Sequence, residues 1–382
     1  MNHENNIALF QKFPSLKENI PFHSIGNYPT PLKPLKHVSK SFQSNIWIKD
    51  DAKTSIRYGG NKVRKLEFLL ADALKKKTKR IITLGGIGSN HIVATGIYAR
   101  ELGMQTEGFV YCQPLIEHVR ENILLATKYG IRLHLGGSYL GMIRKLAQSY
   151  GYYAIRDHHI PYIITPGGSC ALGVLGYVNA AIELYEQTNN NTKPKIDVIF
   201  VAVGTCGTFA GLLLAKWLFR HSWKIIGVRV TPKSVANNRN ILRMIYNTYH
   251  LLQKHIHHLP KLSLPLIPLI DSSYGNGYGH PLDQHEFMRE LLAQDNIDVE
   301  PIYTGKMFDA LQKYATQRNE ESIVFWNTYF GDVHTSNIFS EEVSSDMKQF
   351  VTDNTARCFC IRKLFNRKEC PMLYNSSQTG RQ

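Results

Sequence analysis

The order of apolar and polar segments along this 382-residue chain predicts an α/β fold. Short apolar runs rich in β-branched residues predict strands, and longer segments with apolar residues three or four apart predict helices. Because the two kinds alternate, we expect a mainly parallel, twisted sheet with helices on both faces. The predicted strands are 45–49, 80–84, 108–112, 132–135, 162–165, 197–203, 224–230 and 322–326. The predicted helices are 61–77, 91–102, 118–129, 172–187, 235–258 and one from about 209.

One uncharged, mostly apolar segment, 198–215, has about the length that a membrane span requires. A polar glycine loop, 204–208, interrupts it, so we predict a buried strand, a loop and a buried helix instead. The N-terminal residues are polar and lack the apolar core of a signal peptide. The sequence therefore predicts a cytoplasmic protein with no membrane partner.

The net charge of +15 raises the possibility of a nucleic-acid partner. The basic residues are spread along the chain, and neither an RNA-binding aromatic motif nor a zinc-finger spacing accompanies them. We therefore favour a lysine-rich surface and expect no nucleic acid, with DNA and RNA retention assays as the test of the alternative. The C-terminal cysteines lack a zinc spacing, so no metal site is expected.

The first candidate site is the run 59–67, in which two glycines precede Asn61 and Lys62 at the start of a predicted helix. The positive end of the helix dipole disfavours an ammonium group there, and burial would lower the pKa of the amine further. Such a lysine suits Schiff-base chemistry. Taken alone, the run favours a solvated surface lysine, which is what most lysines are.

Two further glycine loops offer anion sites. The loop 85–91 contains Ser89 and Asn90 where a helix begins, although a plain N-cap would look the same. The loop Gly204-Thr205-Cys206-Gly207-Thr208 follows a strongly apolar strand. It lacks the lysine of a Walker A loop and the spacing of a dinucleotide fingerprint, so it best fits a phosphate monoester.

A fourth pair of segments, 275–279 and 303–306, brings two tyrosines into glycine-bounded loops. Tyr278 and Tyr303 could supply phenolic groups for proton transfer. The chain has 20 tyrosines, so simple packing is the competing interpretation.

Taken in order, these motifs make the chain resemble the 1-aminocyclopropane-1-carboxylate deaminase / D-cysteine desulfhydrase family. Its members are pyridoxal-phosphate (PLP) enzymes of fold type II, the tryptophan-synthase-β-like class. The runs Asn-Lys-x-Arg-Lys at 61–65 and Ser-Asn-His at 89–91 are the most diagnostic. The resemblance covers roughly 21–331. The remaining matching segments are 28–35, 48–51, 166–177, 205–208, 275–279 and 303–306.

The resemblance implies four catalytic residues. Lys62 would hold the cofactor as a Schiff base and move the Cα proton, and Ser89 would contact the substrate carboxylate. Tyr278 and Tyr303 would face the substrate.

It also implies a set of cofactor contacts. Asn90 would bond the phenolic oxygen of the cofactor, and Thr328 its pyridine nitrogen. A neutral hydroxyl at that nitrogen makes a weaker electron sink, which suits β-elimination more than transamination. The groups expected to hold the phosphate are Lys65, Thr205, Cys206, Gly207 and Thr208.

The resemblance implies two domains, with the cofactor between them. Residues 1–61 and 168–345 would form the large PLP-binding domain and 62–167 the small one. A polar tail, 346–382, is expected to be disordered or a surface appendage. A homodimer is also implied.

The implied function is a PLP-dependent lyase of small amino acids, most like D-cysteine desulfhydrase. Tyr303-Thr304 and Ser-Asn-His resemble the desulfhydrase side, whereas the deaminase side resembles Tyr-Glu-Gly and Ser-Asn-Gln. Deaminase-like and D-serine dehydratase-like activities remain alternatives. Asn327 and Tyr329 replace a histidine and a glycine that family members often carry, so a non-catalytic PLP-binding homologue is a further alternative.

Overall fold

The computed structural model describes residues 7–136, 139–189, 195–263, 267–318, 320–331 and 343–352. Its strands are β1 Leu32–Pro34, β2 Asn45–Asp50, β3 Arg80–Gly86, β4 Gln105–Tyr111, β5 Arg132–Leu135, β6 Tyr162–Ile164, β7 Val198–Val203, β8 Lys224–Arg229, β9 Leu269–Ile270 and β10 Ser322–Asn327. Its helices are α1 Ala8–Lys12, α2 Leu16–Asn19, α3 Lys36–Phe42, α4 Asn61–Lys75, α5 Asn90–Glu101, α6 Glu117–Lys128, α7 Tyr139–Arg156, α8 Ala171–Thr188, α9 Gly207–Leu218, α10 Asn238–Gln253, α11 His285–Ala293, α12 Thr304–Ala315 and α13 Ser345–Thr352. Short 3₁₀ turns cover Asp51–Thr54 and Pro166–Gly168.

The strands form two sheets. The larger has the order β1-β2-β10-β7-β8-β9 and the smaller the order β5-β4-β3-β6. Every pair is parallel except β1 with β2, which confirms the predicted mainly parallel α/β fold. The strands of the smaller sheet all lie within 80–164. The domain boundaries at 61/62 and 167/168 remain a prediction.

Strand β7 shows how the larger sheet is covered on both faces. Ile199, Val201 and Val203 pack into one apolar cluster with α8, α9 and α10. Val198 and Phe200 point the other way, into a second cluster with α3, α11 and α12. Successive side chains of a strand point to opposite faces, so a strand buried on both faces reads as a continuous apolar run.

The apolar segment 198–215 is strand β7, a loop and most of α9, as predicted. Among the described residues, no helix has the length and apolar character needed to cross a membrane. The polar stretch predicted as a helix at 235–258 contains α10, which is shorter at both ends. Its residues Ile241, Ile245 and Tyr249 are buried in the core.

Among the described helices, seven were not predicted from the sequence: α1, α2, α3, α7, α11, α12 and α13. The prediction of a loop around Tyr303 was therefore wrong, because this residue occupies the N-cap position of α12. The segment predicted as a tail begins within α13, which packs on α6 and buries Met347 and Phe350. Residues 353–382 lie outside the described part of the chain.

Helix α4 is held in place by a buried network of charges. The guanidinium of Arg64 donates to Asp51 Oδ1 at 2.8 Å and to Glu183 Oε2 on α8 at 2.9 Å. Lys49 on β2 forms a further ion pair with Glu183. Arg64 and Lys49 outweigh the effect of burial on Glu183 and lower the pKa of this carboxyl to about 2. The two positive charges, on Lys49 and Arg64, thus equal the two negative charges, on Asp51 and Glu183.

Replacing Arg64 with leucine should destabilise the protein by about 3–5 kcal/mol, because Asp51 and Glu183 would remain buried without their main partner. The control is Arg289→Leu, which removes an exposed ion pair with Glu286 and should change stability by no more than about 0.5 kcal/mol. Urea titration of the apoenzyme measures both. A loss below about 1 kcal/mol for Arg64→Leu would contradict the role assigned to the network.

Candidate active site

A cavity of about 530 Å³ is formed where strands of both sheets end and helices begin. Its wall includes residues that follow β3, β7 and β10 and the first turns of α4, α5 and α9. The carboxyl ends of parallel strands are the usual place for a ligand in an α/β protein. All eleven residues that the sequence singled out line this cavity: Lys62, Lys65, Ser89, Asn90, Thr205, Cys206, Gly207, Thr208, Tyr278, Tyr303 and Thr328.

The amine of Lys62 lies close to the predicted phosphate loop. Its Nζ donates to Asn61 Oδ1 at 2.6 Å, and Asn61 Nδ2 donates to Thr208 Oγ1 at 3.1 Å. Burial lowers the pKa of Lys62 to about 8, although the carboxylate of Glu300 opposes this shift. The amine is therefore neutral in about a tenth of molecules at pH 7, far more than an ordinary lysine, and the neutral form is the one that attacks an aldehyde.

The loop between β7 and α9 has the features of a phosphate site. Cys206 adopts a left-handed backbone conformation with φ +69°, and α9 begins at the next residue. The N–H groups of a helix start attract an anion. A Cβ on Gly207 would lie 3.0 Å from Lys65 Nζ and 2.6 Å from Ser169 Oγ, so a side chain there would displace both groups.

Two predicted phosphate contacts act in different ways. The amine of Lys65 is buried beside the loop and donates to Gly167 O at 3.0 Å. Burial and the neighbouring charge of Lys62 hold the pKa of Lys65 well below its usual range, so an anion there would restore its charge. The thiol of Cys206 donates instead to Val235 O at 3.5 Å, which leaves its backbone for a ligand.

The loop after β3 presents Ser89 and Asn90 to the cavity. Ser89 occupies the N-cap position of α5, but its hydroxyl makes no capping hydrogen bond within the described structure. The Ser89 side chain therefore does not act as a plain N-cap. Asn90 Oδ1 accepts hydrogen bonds from Tyr58 and Asn122, at 3.1 and 2.7 Å.

Tyr278 and Tyr303 lie next to each other in the cavity lining. Their hydroxyl oxygens are 2.9 Å apart. Burial raises the pKa of both phenols, so both are protonated and able to donate. Lys306 on α12 donates to Tyr274 O and Gly277 O, each at 2.7 Å, and so fixes the loop that carries Tyr278.

The buried carboxylate of Glu300 was missed in the sequence. It lines the cavity and accepts hydrogen bonds from the backbone N–H groups of Tyr303 and Thr304, at 2.8 and 2.7 Å from Oε1. An acidic residue just before a helix start was the available signal, since it stabilises the positive end of the dipole. Glu300 thereby fixes Tyr303 and places a negative charge near Lys62.

Of the two departures from the family pattern, Asn327 is the last residue of β10 and Tyr329 follows the strand, and only Tyr329 lines the cavity. The side chain of Asn327 does not line the cavity. Its Nδ2 donates to Asp50 Oδ1 at 3.0 Å. Its Oδ1 accepts from the backbone N–H of Tyr329 at 3.1 Å. Thr328 and Tyr329 line the cavity. The carbonyl of Thr328 also accepts from Asn61 N at 3.3 Å, which joins the end of β10 to the start of α4.

Comparison with known proteins settles the family. The model of the family described as "Pyridoxal-phosphate dependent enzyme" matches residues 23–328. The chain belongs to this family. A D-cysteine desulfhydrase from Klebsiella pneumoniae is 34% identical over 314 residues, which cover 78% of this chain and 91% of the relative. The enzyme is therefore a PLP-dependent lyase or deaminase of the 1-aminocyclopropane-1-carboxylate deaminase / D-cysteine desulfhydrase family.

Two further relatives support the same placement. A protein of Pyrococcus abyssi, provisionally named a 1-aminocyclopropane-1-carboxylate deaminase, is 30% identical and covers 84% of this chain and 93% of its own length. The crystal structure of a 1-aminocyclopropane-1-carboxylate deaminase homologue superposes with a TM-score of 0.71 at 28% identity. It covers 85% of this enzyme and 95% of the homologue.

The cavity fits PLP by its own chemistry. A partly buried lysine with a lowered pKa meets the need for an amine that can bind an aldehyde. The start of α9 and the amine of Lys65, which a bound anion would keep protonated, meet the need for a phosphate site. Gly207 leaves space between them that a side chain would fill. We propose that the eleven residues hold the cofactor and substrate in the roles that the resemblance implies.

The pKa of Lys62 predicts how the apoenzyme takes up its cofactor. Only the neutral amine attacks the aldehyde, so the uptake rate should rise with pH and reach half its maximum near pH 8. Stopped-flow absorbance with added PLP measures this rate, with free Nα-acetyl-lysine as the unburied reference. A rate that still rises tenfold per pH unit above pH 9 would show that the amine keeps an ordinary lysine pKa.

Proposed function

We propose that the enzyme is a lyase that eliminates the β-substituent of a small amino acid, with D-cysteine as the leading substrate. The products are pyruvate, ammonia and sulfide, formed with the uptake of one water. The observation that carries the proposal is the amine of Lys62, whose pKa burial lowers to about 8, linked through Asn61 to the phosphate loop in the same cavity as a pair of phenol hydroxyls. This arrangement provides a base and an acid at one site.

Bound PLP supplies an electron sink that stabilises negative charge at the substrate Cα. In this proposal Lys62 removes the proton from Cα, and the Ser89 hydroxyl binds the substrate carboxylate. The Cβ–S bond then breaks, and its electron pair goes to sulfur. Tyr278 or Tyr303 donates a proton to the sulfur as this bond breaks, so that hydrogen sulfide leaves. Water hydrolyses the released enamine to pyruvate and ammonia.

Thr304 favours the desulfhydrase over the deaminase assignment. The deaminase pattern has a glutamate at this position of the Tyr-x-Gly motif. Here the hydroxyl of Thr304 donates to the backbone carbonyl oxygen of Glu300 at 3.2 Å. The side chain of Thr304 is fully buried. No carboxylate from position 304 can therefore enter the cavity. The provisional name of the Pyrococcus abyssi relative keeps ring opening as the second candidate.

A substrate panel separates these functions. D-cysteine, L-cysteine, D-serine and 1-aminocyclopropane-1-carboxylate are each incubated with the holoenzyme, and sulfide and 2-oxo acids are measured. We expect sulfide and pyruvate in equal amounts from D-cysteine, and none with Lys62→Ala. A 2-oxo acid from the cyclopropane substrate alone would assign the deaminase reaction. Cofactor binding without turnover of any substrate would favour the non-catalytic homologue.

Removing a phenol hydroxyl should slow the elimination. Positioned acid–base groups contribute about 10²–10⁴-fold, so Tyr303→Phe and Tyr278→Phe should each lower kcat by about 10²-fold or more. The control is Tyr246→Phe, because Tyr246 is 44% exposed on α10, away from the cavity lining. Steady-state release of pyruvate measures all three. Wild-type turnover in both cavity variants would remove the tyrosines from the mechanism.

A further inference from the structure

The carboxamide of Asn90 can face the cofactor in two ways, and the two have opposite chemistry. With its nitrogen toward the cavity it donates a hydrogen bond and stabilises an ionised phenolic oxygen. With its oxygen toward the cavity it can only accept, which favours the protonated form. The role proposed above for Asn90 therefore requires something that fixes the orientation of the amide.

A backbone carbonyl provides the fixed reference. Asn122 on α6 donates from Nδ2 to Gly88 O at 2.9 Å, and a carbonyl oxygen can only accept. This contact sets which end of the Asn122 amide is nitrogen. Gly88 is pressed onto α6, since a Cβ there would lie 2.6 Å from Val119 Cγ2. The carbonyl is therefore held close to Asn122.

The same nitrogen determines the orientation of Asn90. Asn122 Nδ2 also donates to Asn90 Oδ1 at 2.7 Å, so the Asn90 oxygen must face α6. The hydroxyl of Tyr58 is a second donor, 3.1 Å from Asn90 Oδ1 and 3.3 Å from Asn122 Oδ1. Burial raises the pKa of Tyr58, so its hydroxyl keeps the proton that it shares between these oxygens. Because Oδ1 of Asn90 accepts hydrogen bonds from Tyr58 and Asn122, its Nδ2 faces the cavity.

We propose that Asn122 and Tyr58 are positioning residues that hold the amide nitrogen of Asn90 toward the phenolic oxygen of the cofactor. This inference rests on the proposed cofactor contact of Asn90. Neither Asn122 nor Tyr58 lines the cavity, so both act through Asn90. Asn122 is 1% exposed and Tyr58 3% exposed, which makes their hydrogen bonds costly to lose.

The test uses the absorbance spectrum of the substrate-free holoenzyme, which reports the ionisation of the cofactor's phenolic oxygen. Asn122→Asp replaces the donor with a carboxylate that only accepts. It should draw the Asn90 nitrogen toward α6 and turn the oxygen to the cofactor. We expect the ratio of the ionised to the protonated band to fall at least about tenfold. Tyr58→Phe leaves Asn122 in place and should lower this ratio about threefold.

Ile123→Val is the matched control, because Ile123 is the buried neighbour of Asn122 on α6 but has no polar group. Its spectrum should equal that of the wild type. Cofactor content and far-UV circular dichroism are measured for every variant. If Asn122→Asp does not fold or does not bind the cofactor, Tyr58→Phe decides alone. An unchanged band ratio in the folded, loaded variants would overturn the proposal.

Failure of the positioning role can be distinguished from failure of the proposed function. Wild-type enzyme that releases pyruvate and sulfide while the variants keep the wild-type spectrum would reject the positioning role and keep the reaction. A band shift in the variants of an enzyme that turns over no amino acid would reject the reaction and keep the positioning role.

Discussion

The ion network around Arg64 is the constraint on which the rest of the site depends. Arg64 lies between Lys62 and Lys65 on α4, and a helix advances about 100° per residue. Lys62 and Lys65 therefore share one face, while Arg64 points to the opposite side. There it is bound by Asp51 and by Glu183 on α8. The buried anchor on one face fixes the rotation of the helix, and with it the direction of both lysines on the other.

This anchoring explains how two lysines can be buried side by side. Removing an ammonium group from water is unfavourable, and here burial lowers the pKa of both amines. A loosely held helix would relieve this cost by turning the lysines to solvent. The network prevents that rotation, so the cost is offset by ligands instead: an aldehyde for the neutral amine of Lys62 and a phosphate for Lys65. Stability on one face of α4 thereby supports reactivity on the other.

Local sequence motifs predicted much of the site. Glycine loops that end strands and begin helices are recognisable from a few residues, and all eleven predicted residues line one cavity. The groups that were missed act over long sequence separations. Tyr58 meets Asn90 and Asn122 across 32 and 64 positions, and Glu300 influences Lys62 from the far end of the chain. The sequence around Tyr58 gives no sign of its partners, and for Glu300 the only local signal was its position before the start of α12. Helix α12 was missed because its first residues, Tyr-Thr-Gly-Lys, resemble a turn, and its start is stabilised by Glu300 instead.

The central claim is that Lys62, among several buried lysines, is the one that binds the cofactor. Lys306 provides a close competitor, because burial lowers its pKa to about 8 as well. Reduction of the holoenzyme with borohydride followed by peptide mapping identifies the modified lysine directly. The account predicts a single pyridoxyl adduct on the peptide that contains Lys62. An adduct on Lys65 or Lys306, with Lys62 unmodified, would contradict it.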